Sequence, residues 1–209
     1  MRNHSDREIP EKYAESFGVF EGQSAKRHEY ERSGGKVLSI KPGESKLLGS
    51  IQEAIIKTGL KSGMTVSFHH HFREGDKVLN MVMEEIAKMG IRDLTLASSS
   101  IANVHEPLIE HIRNGVITNI TSSGLRDKLG AAISQGLMEN PVVIRSHGGR
   151  ARAIEKDEIH IDVAFLGAPS SDLYGNANGS HGKANCGSLG YAKVDAEFAD
   201  KVVIITDNL

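Results

Sequence analysis

The chain has 209 residues, 39 % of them hydrophobic with 22 glycines besides, a composition that suits a globular protein with a sizeable core. Its 25 basic and 27 acidic residues leave a formal charge of −2, which gives no general attraction to nucleic acid or anionic lipid, and no apolar run is long enough to span a bilayer. A single cysteine, Cys186, excludes an internal disulfide, and residues 1–30 hold no apolar stretch of the signal-peptide kind, so a reducing, cytoplasmic location is expected.

Residues 1–36 are polar, lack sustained periodicity and end near Ser33-Gly34-Gly35, which reads as an N-terminal arm. A regular pattern starts at 37 and runs to 209. Leu47, Leu48, Ile51, Ile55 and Ile56 recur at helical spacing, with Ser45 as the expected N-cap and Gly59 as the C-cap. A β-prone run follows at 64–68. Asp76 then caps a helix whose one face carries Val78, Leu79, Val82, Met83 and Ile86, closed by Gly90. Further strands are expected at 94–97, 117–121, 142–145, 161–166 and 202–206, and further helices at 107–114, 125–137 and 151–155. Strands alternating with helices predict an α/β fold, a mainly parallel sheet with helices on both faces. The segment 170–190 breaks the rhythm with Gly, Asn and Ser and no period, the mark of a functional or disordered loop. The last residues follow directly on a strand, as they would in a natural domain or in a fragment.

Chemistry-bearing residues collect where strands give way to loops, the edge at which open α/β sheets bind ligands. Ser67-Phe68-His69-His70-His71-Phe72-Arg73 ends the first strand. Its histidines alternate in direction, so all three do not easily converge on one metal ion; His69 and His71 share a face, and a metal there would need a third ligand from elsewhere. Contact with an anion or substrate suits them better, and bonding to backbone carbonyls is the plainer alternative. Ala97-Ser98-Ser99-Ser100 and Thr121-Ser122-Ser123-Gly124 end the next two strands; their hydroxyls and amides suit a carboxylate or phosphate, and equally suit helix capping. In Arg145-Ser146-His147-Gly148-Gly149-Arg150 the paired glycines let the backbone approach a ligand and offer N–H groups to an oxyanion, though a tight turn with solvated arginines explains them as well. This is neither a Walker loop nor a dinucleotide fingerprint. The loop at 170–190 adds Asp172, Tyr174, Asn176, Asn178 and His181. Cys186 has no activating neighbour in sequence, and Glu84, Glu85, Glu106 and Glu110 read as helix-surface charges, so no carboxylate stands out as catalytic.

Three of these motifs occur together in order: the His69 tract, Ser146-His147-Gly148-Gly149-Arg150-Ala151-Arg152-Ala153-Ile154, and Gly167-Ala168-Pro169-Ser170 with Asp172 and Gly175-Asn176. From residue 36 onward the chain resembles the citrate lyase α-subunit family. The resemblance implies a coenzyme A transferase-like α/β domain at 37–209, the first of two in tandem. It implies a citrate CoA-transferase that exchanges citrate for acetyl on a carrier-protein thioester, giving citryl carrier protein and acetate through a mixed anhydride. It implies no tightly bound cofactor; coenzyme A, or the coenzyme-A-like prosthetic group of a partner γ acyl carrier protein, enters as substrate. A β subunit that cleaves the citryl thioester and a higher oligomer complete the expected partners.

On these grounds His69, His70, Arg73, Ser98, Ser99, Ser122, His147, Gly148, Gly149, Arg150, Asn176 and Asn178 are the candidates for substrate and thioester binding. No catalytic residue and no metal ligand is assigned. Two other readings compete. A sugar-phosphate isomerase-like enzyme would use the hydroxyl clusters for phosphate, but it wants an acid–base group that the sequence does not show. A non-catalytic half-domain would act in assembly or in binding small acids.

Overall fold

A computed structural model describes residues 1–3, 6–17, 40–69 and 76–209, in two compact units, Met1–Glu31 and Arg32–Leu209. In the first unit the Ile9 amide donates to the Met1 carbonyl at 2.7 Å, the Met1 ammonium donates to the Ile9 carbonyl at 3.1 Å, and Arg2 pairs with Asp6 at 2.8 Å. Helix α1 follows at Glu11–Phe17, where the sequence showed no element.

The second unit begins its regular structure with α2, Ile51–Thr58. Ser50, and not the expected Ser45, is its N-cap. The Ser50 hydroxyl accepts from the Glu53 amide at 3.1 Å, while the Glu53 carboxylate accepts from the Gly49 amide at 2.8 Å, so orphan N–H groups at the helix start are satisfied from both directions. Ser45 lacks a glutamate three residues on and accepts from the Leu47 amide instead. Gly59 closes the helix with φ +72°, a left-handed conformation that costs other residues energy.

Strand β1 (Thr65–His69) leads through α3 (Val78–Lys88) to β2 (Leu94–Ser98), through α4 (Leu108–Arg113) to β3 (Ile117–Ser122), and through α5 (Asp127–Ser134) to β4 (Val143–Ile144). The chain then reverses. Helix α6 (His147–Glu155) returns it to β5 (Val163–Gly167), a short antiparallel pair β6 (Ser170–Ser171) and β7 (Ala177–Asn178) follows, and α7 (Ala192–Phe198) leads to β8 (Lys201–Ile205). The main sheet has the order β4-β3-β2-β1-β5-β8 with every pairing parallel. Right-handed crossovers then require the early helices on one face and the late ones on the other. The core divides in that way. Ile55, Leu79, Val82, Met83, Ile86, Leu108 and Leu129 pack with Val66, Phe68, Leu96, Ile120 and Phe165 on one face, where the Phe68 and Phe165 rings stack at 5.7 Å. Ala153, Ile154 and Ala192 pack with Ala97, Ala164 and Leu166 on the other. The α/β class with helices on both faces is thus the one observed.

Two helix starts and one whole helix depart most from the sequence reading. The fifth helix starts at Asp127, because Leu125 forms an isolated bridge with Ile101. The sixth starts at His147, so Gly148 and Gly149 lie inside its first turn and form no separate loop. Helix α7 was not expected at all. Among the described residues no helix is long and apolar enough to cross a membrane.

The glycine-rich segment after β7 is held by close backbone contact. A Cβ on Gly179 would lie 1.9 Å from the Gly187 carbonyl oxygen, and both the Cys186 and Gly187 amides donate to the Gly179 carbonyl. Gly179→Ala should therefore destabilise the chain by about 1–3 kcal/mol through forced backbone movement, read by urea denaturation.

Candidate functional site

The carboxyl ends of β1, β2, β3 and β5 form one edge, and the strand order reverses between β1 and β5, the place where open α/β sheets bind ligands. The serine clusters at this edge are consumed in building it. The Ser98 hydroxyl donates to the Ser100 carbonyl at 3.1 Å and the Ser122 hydroxyl to the Gly124 carbonyl at 3.0 Å. The Ser99 amide donates to Phe68, the Ser123 amide to Ser99 and the Arg145 amide to Ser122, carrying the ladder past the strand ends. Ser98, Ser99 and Ser122 are all buried. The Ser98 and Ser122 hydroxyls satisfy backbone groups that would otherwise be orphaned, and so act as loop formers.

Beneath the edge, a small cleft is lined by Phe68, His69, Asp76, Val78, Leu79, Ser98 and His105. His105 is buried, with Nδ1 accepting from the Ala102 amide at 3.1 Å and Nε2 donating to the Asp76 carbonyl at 3.0 Å. These two bonds together specify the neutral tautomer. The Asp76 carboxylate accepts from the Val78 amide at 2.8 Å just ahead of helix α3, whose N-cap is Lys77 and not the expected Asp76.

At the start of α6 the Ser146 hydroxyl accepts from the Gly149 amide at 3.1 Å. The N–H of Gly149 is thereby committed to the cap, and its Cβ position lies 2.9 Å from the same hydroxyl, so the second glycine serves the cap. Gly148 is exposed and has nothing near its Cβ position. His147 is exposed too, its ring centroid 5.2 Å from that of Tyr191, while His69 at the end of β1 lies 6.2 Å from the same ring. Tyr191 brings these two candidates together.

Arg150 is placed where the sequence reading did not anticipate. Its guanidinium is 1 % exposed and faces the sheet. Nη1 donates to Asp195 Oδ1 at 2.9 Å, while Nη2 donates to Asp195 Oδ2 at 3.0 Å, to Ser67 Oγ at 3.1 Å and to the Ala97 carbonyl at 2.9 Å. The Ser67 hydroxyl donates to Asp195 at 2.7 Å. Burial pushes the Asp195 carboxyl up from its ordinary value, and the Arg150 guanidinium and Ser67 hydroxyl pull it back. Arg150 is thus a structural cation, not one offered at the surface.

Asn176 and Asn178 shape the hairpin. Asp172 accepts from the Asn176 side chain at 2.8 Å and from the Tyr174 and Asn176 amides, and the Asn176 side chain foremost holds its carboxyl below the usual range. Asn178 Oδ1 accepts from the Ser180 amide at 2.9 Å. His70 and Arg73 lie outside the described residues. Sequence reasoning missed Tyr191 and Asp195, both carried by the unexpected α7; the only signal was the helical spacing of Ala192, Asp195 and Ala199.

A matching family model, citrate lyase, alpha subunit (CitF), covers residues 44–209. The chain belongs to the citrate lyase α-subunit family. It is 62 % identical over 164 residues to the citrate lyase alpha chain of Klebsiella pneumoniae, covering 78 % of this chain and 32 % of that one. To the corresponding chain of Haemophilus influenzae it is 59 % identical over 170 residues, 81 % of this chain and 34 % of that one. A crystal structure described as a citrate lyase α subunit from Streptococcus mutans in complex with citrate matches all of this chain and 41 % of its own, at TM-score 0.92 and 68 % identity. The chain spans about a third of the length of the curated relatives it matches.

Among the described residues of this family member, one set of side chains converges closely enough to hold a metal ion: His160, Asp162 and Asp200. It lies at the amino-terminal ends of β5 and β8, across the sheet from the edge described above. His160 Nδ1 meets Asp157 at 3.0 Å and Nε2 meets Asp200 at 3.1 Å, while Asp162 accepts from the Thr65 amide. These atoms are occupied by one another and by the backbone.

Two predictions follow from these charges. Asp195→Asn should cost about 3–5 kcal/mol by leaving a buried guanidinium uncompensated, and the double change Arg150→Met with Asp195→Leu should cost clearly less than the two single changes summed, measured by urea denaturation. The bond to Asp157 first, and that to Asp200 after it, raise the His160 imidazole above its ordinary 6.5. A raised folded value means that its stabilisation is complete below 6.5 and is lost as pH rises through the raised value. His160→Gln should therefore lower stability by about 0.2–1 kcal/mol in acidic buffer and leave it unchanged in alkaline buffer.

Proposed function

We propose that the chain is the first part of a citrate CoA-transferase site, exchanging acetyl for citrate on the thioester of an acyl carrier protein. The observation that carries the proposal is family membership across 44–209, joined to a strand edge where His69, His147 and the exposed start of α6 lie around one ring. In the proposed reaction a citrate carboxylate oxygen attacks the acetyl carbonyl and the C–S bond breaks. The released thiolate then attacks the citryl carbonyl of the mixed anhydride and expels acetate. Each attack places negative charge on a carbonyl oxygen, which N–H donors fixed beforehand would stabilise. The first turn of a capped helix supplies such donors, and Gly148 gives a thioester room to approach them.

The thioester arm would be coenzyme A or the coenzyme-A-like group of a γ acyl carrier protein, and the citryl product would pass to a β subunit within a cytoplasmic complex. The first domain would span 37–209 and supply one wall of the site, with the remaining length found in the relatives supplying the other. Citrate is the acid favoured here because a structural relative is described as a citrate complex.

Gly148 provides the test, because side-chain space at this position is open and any helix-compatible residue should preserve the fold. Gly148→Ala should leave stability unchanged or raise it by up to about 1 kcal/mol. Gly148→Phe should keep the melting temperature yet abolish formation of labelled citryl thioester and acetate from labelled citrate and acetyl-coenzyme A by the chain, assayed alone and with the remaining part of a relative supplied. Full exchange by Gly148→Phe would remove this glycine from the site. No exchange by the unaltered chain under either condition would favour an assembly role over the transferase.

A further inference from the structure

Asparagine followed by glycine occurs twice in the chain, at Asn114-Gly115 and at Asn178-Gly179. Such a pair can modify itself. A glycine puts no side chain in the way, so its amide nitrogen can reach the asparagine side-chain carbonyl and close a cyclic imide. The residues are the same in both pairs, but the fold treats them differently. Both asparagines are exposed. Asn114 closes α4, and the Gly115 N–H donates to the Ile112 carbonyl at 3.0 Å. That nitrogen must give up a hydrogen bond before it can attack.

Asn178 ends β7 at the start of the glycine-rich segment. Its Oδ1 accepts from the Ser180 amide at 2.9 Å, which folds the side chain back over the Gly179 peptide. A donor on the carbonyl oxygen also draws electrons from Cγ and stabilises the charge that attack places on that oxygen. Among the described residues no acceptor takes the Gly179 N–H, although Gly179 is buried. Nucleophile and electrophile are thus neighbours, one uncommitted and the other polarised. The chain beyond them has no slack. The Gly179 carbonyl accepts from the Cys186 and Gly187 amides at 2.9 and 3.0 Å. A Cβ on Gly182 would lie 2.0 Å from the Pro169 carbonyl oxygen, just past β5.

We propose that Asn178 is a site of self-deamidation, and that its isoaspartate product releases the glycine-rich segment that follows. The Gly179 nitrogen loses its proton to hydroxide and attacks Cγ. The Cγ–Nδ2 bond breaks, and ammonia leaves with a proton from water. Water then opens the imide at either carbonyl, leaving aspartate or isoaspartate, and no electron donor or acceptor takes part. The two products differ in effect. Aspartate keeps an oxygen for the Ser180 amide. Isoaspartate routes the main chain through the former side chain and adds a carbon ahead of Gly179, which the close contacts there cannot absorb. Residues 180–186 then come away from Pro169. None of this depends on the transferase reading.

The test incubates the 209-residue chain in mildly alkaline buffer, folded and in urea. Each Asn-Gly peptide is followed by mass spectrometry, with isoaspartate marked by enzymatic methylation. In urea the two pairs should convert at similar rates. In the folded chain Asn178 should convert about tenfold faster than Asn114, the factor that one retained hydrogen bond supplies. Equal folded rates, or faster conversion at Asn114, would overturn the assignment. The isoaspartate form, separated by ion exchange, should be cut by trypsin after the exposed Lys183 about tenfold faster than the unmodified chain, as a locally opened segment is. Asn178→Asp should be cut at the unmodified rate. Unchanged cleavage of the isoaspartate form would overturn the release of the segment. Equally fast cleavage of Asn178→Asp would overturn it too, by making the new charge and not the added carbon the cause.

Discussion

The buried guanidinium of Arg150 is the constraint on which the late half of the fold depends. An ionised group removed from water must be paired and hydrogen-bonded, and here the partners come from three elements: Asp195 on α7, Ser67 on β1 and the Ala97 carbonyl on β2. Helices α6 and α7 otherwise meet the sheet through a mixture of small residues, Ala153, Ala164 and Ala192 among them, and larger ones such as Ile154 and Leu166, contacts that are non-directional and specify rotation poorly. A well-packed apolar pair could match the ion pair in stability. It would not fix the orientation of both helices in the way a bidentate fork does.

That division of labour matches the two faces of the sheet. The face under α2 to α5 is held by large interlocking side chains, including the Phe68–Phe165 stack and the spine of α3, and needs no polar specification. The opposite face carries the chain reversal that creates the β1/β5 switch point, and the polar network sits beneath that crevice. Its two opposite charges, Arg150 and Asp195, pair bidentately with each other, so the support offers no unpaired charge to the edge above.

The elements of the large core were legible because their signal is periodic. Leu79, Val82, Met83 and Ile86 announce α3 by spacing alone, and all six parallel strands emerged within two residues at each end, β4 being trimmed to a two-residue pairing at the sheet edge. Helix α7 escaped because a run of Gly, Asn and Ser precedes it and its buried positions are an alanine and an aspartate, Ala192 and Asp195. The start of α6 was misplaced because paired glycines argue against helix by propensity, while the Ser146 cap and the tertiary anchor at Arg150 outweigh that local preference. At the site, sequence placed its candidates at the strand ends, and the structure brings His69 and His147 beside Tyr191 there. It could not tell a hydroxyl offered to a ligand from one closing its own loop, since Ser98 and Ser122 have the same residue type and the same strand-end position under both readings.

A parallel sheet makes that ambiguity unavoidable. Every strand ends at the ligand edge with backbone groups that lack a neighbour, and short hydroxyl side chains are the cheapest partners for them. Once those demands and the Arg150 pairing are met, the exposed His147 and the first-turn amides of α6 stand at the edge of the described structure. Under the proposed reaction this suits a carboxylate that must become an acyl group. A guanidinium clamp would bind the bound acid and its transition state alike, and uniform binding of that kind lowers KM without raising kcat. Weaker, directional donors placed by a rigid layer below leave the stronger stabilisation for the oxyanion that forms during transfer.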